Sequence, residues 1–103
     1  MNNVTFKVSG VTHERFPEAI SLLIVDAGLQ EFELERINHP MDPNAIKILA
    51  SGVQFGWVPR HISKILAPLL DKGECYTAFL VQVNTHPGYE TRGVTVKLKT
   101  VAM

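Results

Sequence analysis

Residues 38–44, with the sequence Asn-His-Pro-Met-Asp-Pro-Asn, constrain the fold of this chain more than any other segment. Two prolines within seven residues exclude a continuing strand, because proline donates no backbone hydrogen bond and has a fixed φ angle. The preceding residues 30–37 alternate apolar and polar side chains, with Phe32 and Leu34 on one face. Residues 45–50 have the composition of a second strand. The segment is therefore predicted to be a rigid loop between two strands.

The same kinds of pattern along the whole chain predict six strands and two helices. Strands are predicted at residues 3–9, 30–37, 45–50, 53–58, 74–84 and 94–101, with Ser51-Gly52 as a tight turn and a loop containing Pro87 and Gly88 before the last strand. One helix is predicted from Pro17 to about Asp26, ended by Gly28. The other begins at Pro59 and closes at Asp71-Lys72-Gly73, and Pro68 is expected to kink or shorten its last turn. Because strands and helices do not alternate, the predicted fold class is mainly β with two short helices, a small six-stranded OB/SH3-like β-barrel.

Length and composition predict one domain over residues 1–103, without repeats or linkers. No apolar run approaches the roughly 20 residues that cross a bilayer, and the first residues do not resemble a secretory signal. A single cysteine, Cys75, indicates a reducing cytoplasm. Ten Lys and Arg balance ten Asp and Glu, but residues 52–103 hold six basic and three acidic side chains. This distribution allows a local basic face and argues against a long phosphate-binding track.

Several segments together resemble the HIRAN domain family. They are Leu34-Glu35-Arg36-Ile37-Asn38-His39-Pro40-Met41-Asp42-Pro43-Asn44-Ala45-Ile46-Lys47-Ile48, then Gly52, Phe55-Gly56-Trp57-Val58-Pro59-Arg60, the helix end Leu66-Ala67-Pro68-Leu69-Leu70-Asp71-Lys72-Gly73, and the opening Phe6-Lys7-Val8-Ser9-Gly10-Val11. The resemblance covers nearly the whole chain. HIRAN domains occur in eukaryotic fork-remodelling helicases and as lone proteins in bacteria and phages. The resemblance implies an OB-like barrel that binds single-stranded DNA and holds its terminal 3′ hydroxyl.

The resemblance also implies a set of binding residues. The family's aspartate, which accepts the 3′ hydroxyl, falls on Asp42, and its two base-stacking tyrosines fall on Met41 and near His13. A family arginine falls on Thr12, a histidine on Trp57, and a lysine that contacts the backbone on Arg60. The two replaced tyrosines remove aromatic stacking worth about 1–3 kcal/mol per base.

The residues themselves support two interpretations each. A carboxylate braced by Pro40 and Pro43 can accept a charge-assisted hydrogen bond from a terminal hydroxyl, but Asp42 can equally form a turn with the amide two positions on. Trp57 either packs in the hydrophobic core, or a bulge at Gly56 turns it outward so that it is half-exposed and can stack on a base.

The remaining candidates are polar or charged. His39 in the loop can bond a base edge or a phosphate, or lie in solvent. Arg60 and Lys64, one helical turn apart, can contact phosphates together or form a solvated helix face.

Neither a metal site nor catalysis is expected. His13, His39, His61 and His86 lack zinc-like spacing, and no nucleophile motif, Gly-rich phosphate loop or carboxylate cluster is present. We therefore expect no cofactor and no enzymatic activity.

The leading hypothesis is a module that binds single-stranded DNA at 3′ ends in DNA repair or processing, with a helicase or nuclease as a partner protein and no membrane association. One alternative is a protein-interaction barrel that has lost end binding. Another is non-specific binding of single strands along the barrel groove.

Overall fold

The computed structural model describes residues 1–85, 88 and 92–101 of the chain. Its six strands form one antiparallel sheet in the order β1-β6-β5-β2-β3-β4. The strands are β1 (Thr5–Lys7), β2 (Glu31–Arg36), β3 (Ile46–Ala50), β4 (Val53–Trp57), β5 (Tyr76–Asn84) and β6 (Gly93–Thr100). In the predicted loop before β6, Pro87 and the neighbouring His86 lie outside the described residues.

The sheet curls until its two edge strands meet. The amide of Ser9, just after β1, donates to the carbonyl of Trp57 at 2.8 Å, and the Trp57 amide donates back to the Ser9 carbonyl at 2.9 Å. We call this paired contact the seam. Gly56 makes the close approach possible, because a Cβ there would overlap the Val8 side chain. The sheet is thus a curled half-barrel whose edges touch at one end.

Two helices pack against the sheet. The first, α1 (Phe16–Ala19), continues directly into a π-helical segment, Ile20–Asp26. The second, α2 (Arg60–Asp71), begins after Pro59 and contains Pro68. None of the helices in the described part of the chain is long and apolar enough to span a membrane.

One hydrophobic core joins these elements. Phe32 and Phe55 are fully buried, with ring centroids 4.9 Å apart in an edge-to-face arrangement. The cluster includes buried side chains from all six strands and both helical regions. The side chains that alternate with them on the strands therefore lie on the outer face of the sheet.

The predicted fold class is confirmed. Ser51 and Gly52 have φ angles of 50° and 81°, as expected for the tight turn between β3 and β4. One detail of the helices differs from the predictions: the first helix is α-helical only over Phe16–Ala19 and π-helical afterwards. The second helix ends at Asp71 as predicted, so of the two effects expected of Pro68 a shortened last turn is excluded.

Candidate nucleic-acid interface

Two consecutive turns, each with a proline at its second position, shape the loop between β2 and β3. The amide of Asp42 donates to the His39 carbonyl at 3.1 Å, and the amide of Ala45 donates to the Asp42 carbonyl at 3.2 Å. Pro40 and Pro43 supply the φ angle that this position of a turn requires. Met41 consequently lies at the tip of the first turn, where its side chain is 79% exposed.

The two carboxylate oxygens of Asp42 have different partners. Oδ1 accepts the amide of Asn44 at 3.0 Å, the turn-forming bond that the residue type favours. Oδ2 lies 3.8 Å from Nε of Arg60, in a loose ion pair whose Arg60 side chain is 83% exposed. One oxygen of Asp42 therefore holds the loop in shape, while the other is engaged only by a solvated cation.

His39 connects the loop to Trp57. Its Nδ1 accepts the amide of Met41 at 3.1 Å, which requires that this nitrogen carry no proton. The imidazole lies edge-on to the indole of Trp57, with ring centroids 6.3 Å apart and an interplanar angle of 82°. His39 is therefore positioned by the turn on one side and by an aromatic contact on the other.

A bulge in β4 turns Trp57 towards the solvent. Gln54 pairs with Leu49, and Gly56 pairs with Ile48, so Phe55 is the extra residue. Phe55 is fully buried, whereas Trp57 is half-buried. The outward interpretation of Trp57 is the one that the structure supports, and the irregularity begins one residue before Gly56.

Most of the sequence-predicted site residues surround one cavity of about 440 Å³ beside the seam. Its walls are Ser9, Gly10, His13, His39, Met41, Asp42, Ala45, Trp57, Val58, Pro59 and Arg60. This set brings together six of the eight predicted residues, drawn from the segment after β1, the loop, β4 and the start of α2. We call the cavity that these residues line the end cavity.

A second cavity of about 320 Å³ adjoins the end cavity. It shares Met41, Asp42 and Arg60 with the end cavity and also contains Lys64. The Asp42–Arg60 ion pair therefore lies where the two cavities meet. Lys64 joins the site through this second cavity, as expected from its position one helical turn after Arg60.

Thr12 and His13 have different positions. The amide of His13 donates to the Gly10 carbonyl at 2.9 Å, which closes a turn over residues 10–13. His13 lines the end cavity, but the exposed Thr12 does not lie in its wall. Thr12 is thus the one predicted site residue that the structure leaves outside both cavities.

Arg36 holds the loop in place, a role that no side-chain pattern in the sequence indicated. Its Nη1 donates to the carbonyls of Ile37 at 2.8 Å and Ala45 at 3.1 Å, at the two ends of the loop. Its Nε and Nη2 each donate to a different carboxylate oxygen of Asp71 at 3.1 Å. Arg36 therefore joins both ends of the loop to the last turn of α2. The sequence signal for this role is that Arg36 lies within the segment 34–48 that resembles the HIRAN family.

A larger cavity, of about 810 Å³, lies elsewhere, along the start of β2 and β5. It contains none of the predicted site residues. Tyr76, which lines it, is buried, and burial together with the hydrogen bond from its hydroxyl to Glu74 raises the pKa of the phenol. Within the described ranges, no three His, Cys, Asp or Glu side chains are arranged to hold a metal ion.

Comparison with known proteins identifies a family model and a similar fold. A family model described as the HIRAN domain matches residues 7–100. The crystal structure of a protein from Lactobacillus plantarum matches with a TM-score of 0.68, covers 95% of each chain and has 16% sequence identity. At this identity the likeness concerns the fold alone. No curated protein matches the chain.

Proposed function

The chain belongs to the HIRAN domain family, and from this premise we propose that it is a single-stranded-DNA-binding module that recognises a free 3′-hydroxyl end. HIRAN domains are generally linked to DNA binding. The finer assignment rests on the end cavity, which is open, has apolar and aromatic walls, and contains a carboxylate and a cation.

The arrangement of Asp42 carries the proposal. Oδ1 is used by the Asn44 amide, so Oδ2 is the oxygen that accepts a hydrogen bond from a terminal hydroxyl. A 3′ phosphate at the same position would bring its negative charge against the carboxylate. A continuing strand would also place a phosphate there. Asp42 therefore favours a free 3′ hydroxyl over a 3′ phosphate and over a strand that continues past the cavity.

Three side chains around Asp42 are suited to contact the terminal base. Met41 is exposed at the tip of the turn, and its polarizable thioether packs against flat surfaces. His13 and the half-buried Trp57 lie in the same cavity wall, and aromatic rings stack on any base. His39, held by the turn in this wall, can bond a base edge.

The start of α2 is suited to the adjoining phosphate. Arg60 and Lys64 are exposed and both line the second cavity. No side chain caps the first turn of α2, which contains no acidic residue, and a helix N-terminus attracts anions. With two or three phosphate contacts, a plot of the logarithm of the binding constant against the logarithm of the salt concentration should have a slope of about −1.5 to −2.

Fluorescence anisotropy with short labelled oligonucleotides tests the proposal. A 3′-hydroxyl end should bind more tightly than the same sequence with a 3′ phosphate. Asp42→Asn should remove this preference, because the amide oxygen can still accept the Asn44 amide while the charge is lost. This variant separates the proposed end contact from the structural role of Asp42 in the loop.

Asp71→Asn is a matched control, because it removes a carboxylate from an exposed ion pair away from the end cavity. It should keep the preference for the hydroxyl end. Equal binding of both ends by the native protein, together with no effect of Asp42→Asn, would reject end recognition. Equal binding of terminal and internal segments would favour non-specific binding along the groove.

A protein-interaction barrel is the second candidate function. The zero net charge and the absence of tyrosines at positions 13 and 41 favour it, since both features weaken contacts with nucleic acid. It predicts no oligonucleotide binding at moderate salt. It also predicts that a defined helicase or nuclease binds the purified domain.

The proposed setting is DNA repair or processing in the cytoplasm, with a helicase or nuclease as the partner protein. The single cysteine excludes an internal disulfide and favours a reducing compartment. The proposed role is binding alone, without catalysis.

A further inference from the structure

Three lysines lie together on the outer face of the sheet. In β1, Phe6 is buried and Lys7 is exposed. In β6, Val94, Val96 and Leu98 are buried, so Lys97 and Lys99 point to the same outer face as Lys7. We call Lys7, Lys97 and Lys99 the lysine track.

The strand register leaves this track without opposing carboxylates. Across the ladder, Thr5 pairs with Lys97, Thr95 pairs with Lys7, and Thr77 pairs with Lys99. Each lysine thus has a threonine beside it. The ion pairs within residues 1–85, 88 and 92–101 are formed by arginines, Arg36 with Asp71 and Arg60 with Asp42.

An aromatic ring borders the track. Phe79 pairs with Lys97 across β5 and β6, and the ammonium of Lys99 lies 5.3 Å from the Phe79 ring centroid. Glu31 pairs with Phe79 on the far side, and the exposed Glu33 and Glu35 follow on the same face of β2. The basic surface therefore ends at Phe79, and an acidic surface begins beyond it.

The track leads to the end cavity. Ser9 follows Lys7 by two residues, on the same face of the extended chain, and lines the cavity. Residues two apart on a strand, and diagonal neighbours across a ladder, are separated by about 7 Å. The path from Ser9 over Lys7 and Lys97 to Lys99 is therefore about 20 Å long, which is about six stacked nucleotides.

We propose that single-stranded DNA whose end occupies the end cavity runs across the lysine track, with its phosphates beside Lys7, Lys97 and Lys99. This inference rests on the proposed function and adds the path of the strand. The phosphate backbone complements the uninterrupted row of cations, the threonine hydroxyls beside them add hydrogen-bond donors, and Phe79 adds a surface for base stacking. The acidic face of β2 keeps the strand on this side of the sheet.

A length series of 3′-hydroxyl oligonucleotides tests the path by fluorescence anisotropy at low salt. The native protein should bind an oligonucleotide of about nine nucleotides roughly tenfold more tightly than a trinucleotide of the same 3′ sequence. In Lys7→Gln/Lys97→Gln/Lys99→Gln the trinucleotide should bind as before, and the gain with length should disappear. The salt slope for the longer strand should become shallower by about 2, because roughly 0.7 is lost per phosphate contact.

Lys97→Glu and Lys72→Glu form a matched pair, because both change the net charge by the same amount. Lys72 is the control, since it lies at the end of α2 and is not part of the lysine track. Only Lys97→Glu should reduce the gain with length, and unchanged thermal midpoints should show that both variants are folded. The path is overturned if the trinucleotide binds but the gain in affinity with length persists in the triple variant. It is also overturned if that gain is lost on substitution of Lys64 instead of the lysine track. No binding of any oligonucleotide would reject the proposed function and the path with it.

Discussion

Gly56 occupies the position in the seam where a side chain is least compatible with the fold. A Cβ built on it would overlap Val8 and lie 2.9 Å from the Ser9 carbonyl oxygen, which accepts one of the two seam hydrogen bonds. Any larger residue must therefore push β4 away from the segment after β1. Because Ser9 and Trp57 both line the end cavity, this separation would also widen the site.

Gly56→Ala should lower the free energy of unfolding by about 2–3 kcal/mol, since overpacking displaces backbone as well as side-chain atoms. Urea unfolding monitored by Trp57 fluorescence measures the change. Gly93→Ala is the control, because a Cβ there would make only ordinary contacts of 3.4 Å or more with Asn84. Equal stability of the two variants would contradict the importance of the close approach at the seam.

Met41 allows a test by gain of affinity. Its exposed side chain lies at the tip of the proline turn and contributes little to the core, so substitution should leave stability nearly unchanged. Met41→Tyr should tighten binding of a 3′-hydroxyl trinucleotide by about tenfold, because base–aromatic stacking contributes about 1–3 kcal/mol. Titration of the native protein, Met41→Tyr and Met41→Ala gives the comparison. A weaker complex with tyrosine than with alanine would argue against base contact at this position.

At the scale of elements, the end cavity depends on how the loop between β2 and β3 is held against α2. Arg60 contacts Asp42 near the start of the helix, and Arg36 joins both ends of the loop to Asp71 at its end. The exposed ion pairs contribute little by themselves. The bonds from Arg36 to two backbone carbonyls contribute more, because the Ile37 carbonyl would otherwise lose this donor, while the Ala45 carbonyl would keep only the amide of Ile37.

Arg36→Met should therefore lower the free energy of unfolding by about 2 kcal/mol. Asp71→Asn should lower it by about 0.5 kcal/mol or less, because the side chain of Asp71 is 55% exposed. Chemical denaturation of both variants provides the comparison. Similar losses in the two variants would show that the ion pair, and not the carbonyl bonds, stabilises the loop.

At the scale of the whole molecule, one core includes buried side chains from every strand and both helical regions. No described element has a separate core, so local loss of packing should spread through the sheet. Thermal unfolding should be a single transition with an enthalpy of about 70 kcal/mol for a chain of this length. Calorimetry checks this, and a van't Hoff enthalpy well below the calorimetric value would reveal independent units.

Several features of the fold and site followed from local sequence. The strand positions agree to within a few residues, because apolar alternation reports burial on one face. The proline loop was identified because proline restricts its own backbone and that of its neighbour. The π-helical geometry of residues 20–26 was not predicted, since the apolar pattern of a short helix does not distinguish hydrogen bonds to the fourth residue from those to the fifth.

The sequence by itself determined which segments extend, where the chain turns and which loop presents Met41 and Asp42, because these depend on near neighbours. The tertiary structure alone decided that Ser9 meets Trp57, that Arg36 reaches Asp71, and that Lys7 lies beside the lysines of β6. Each of these contacts joins residues distant in the chain. They depend on strand order and register, which the curled sheet sets through its packing as a whole.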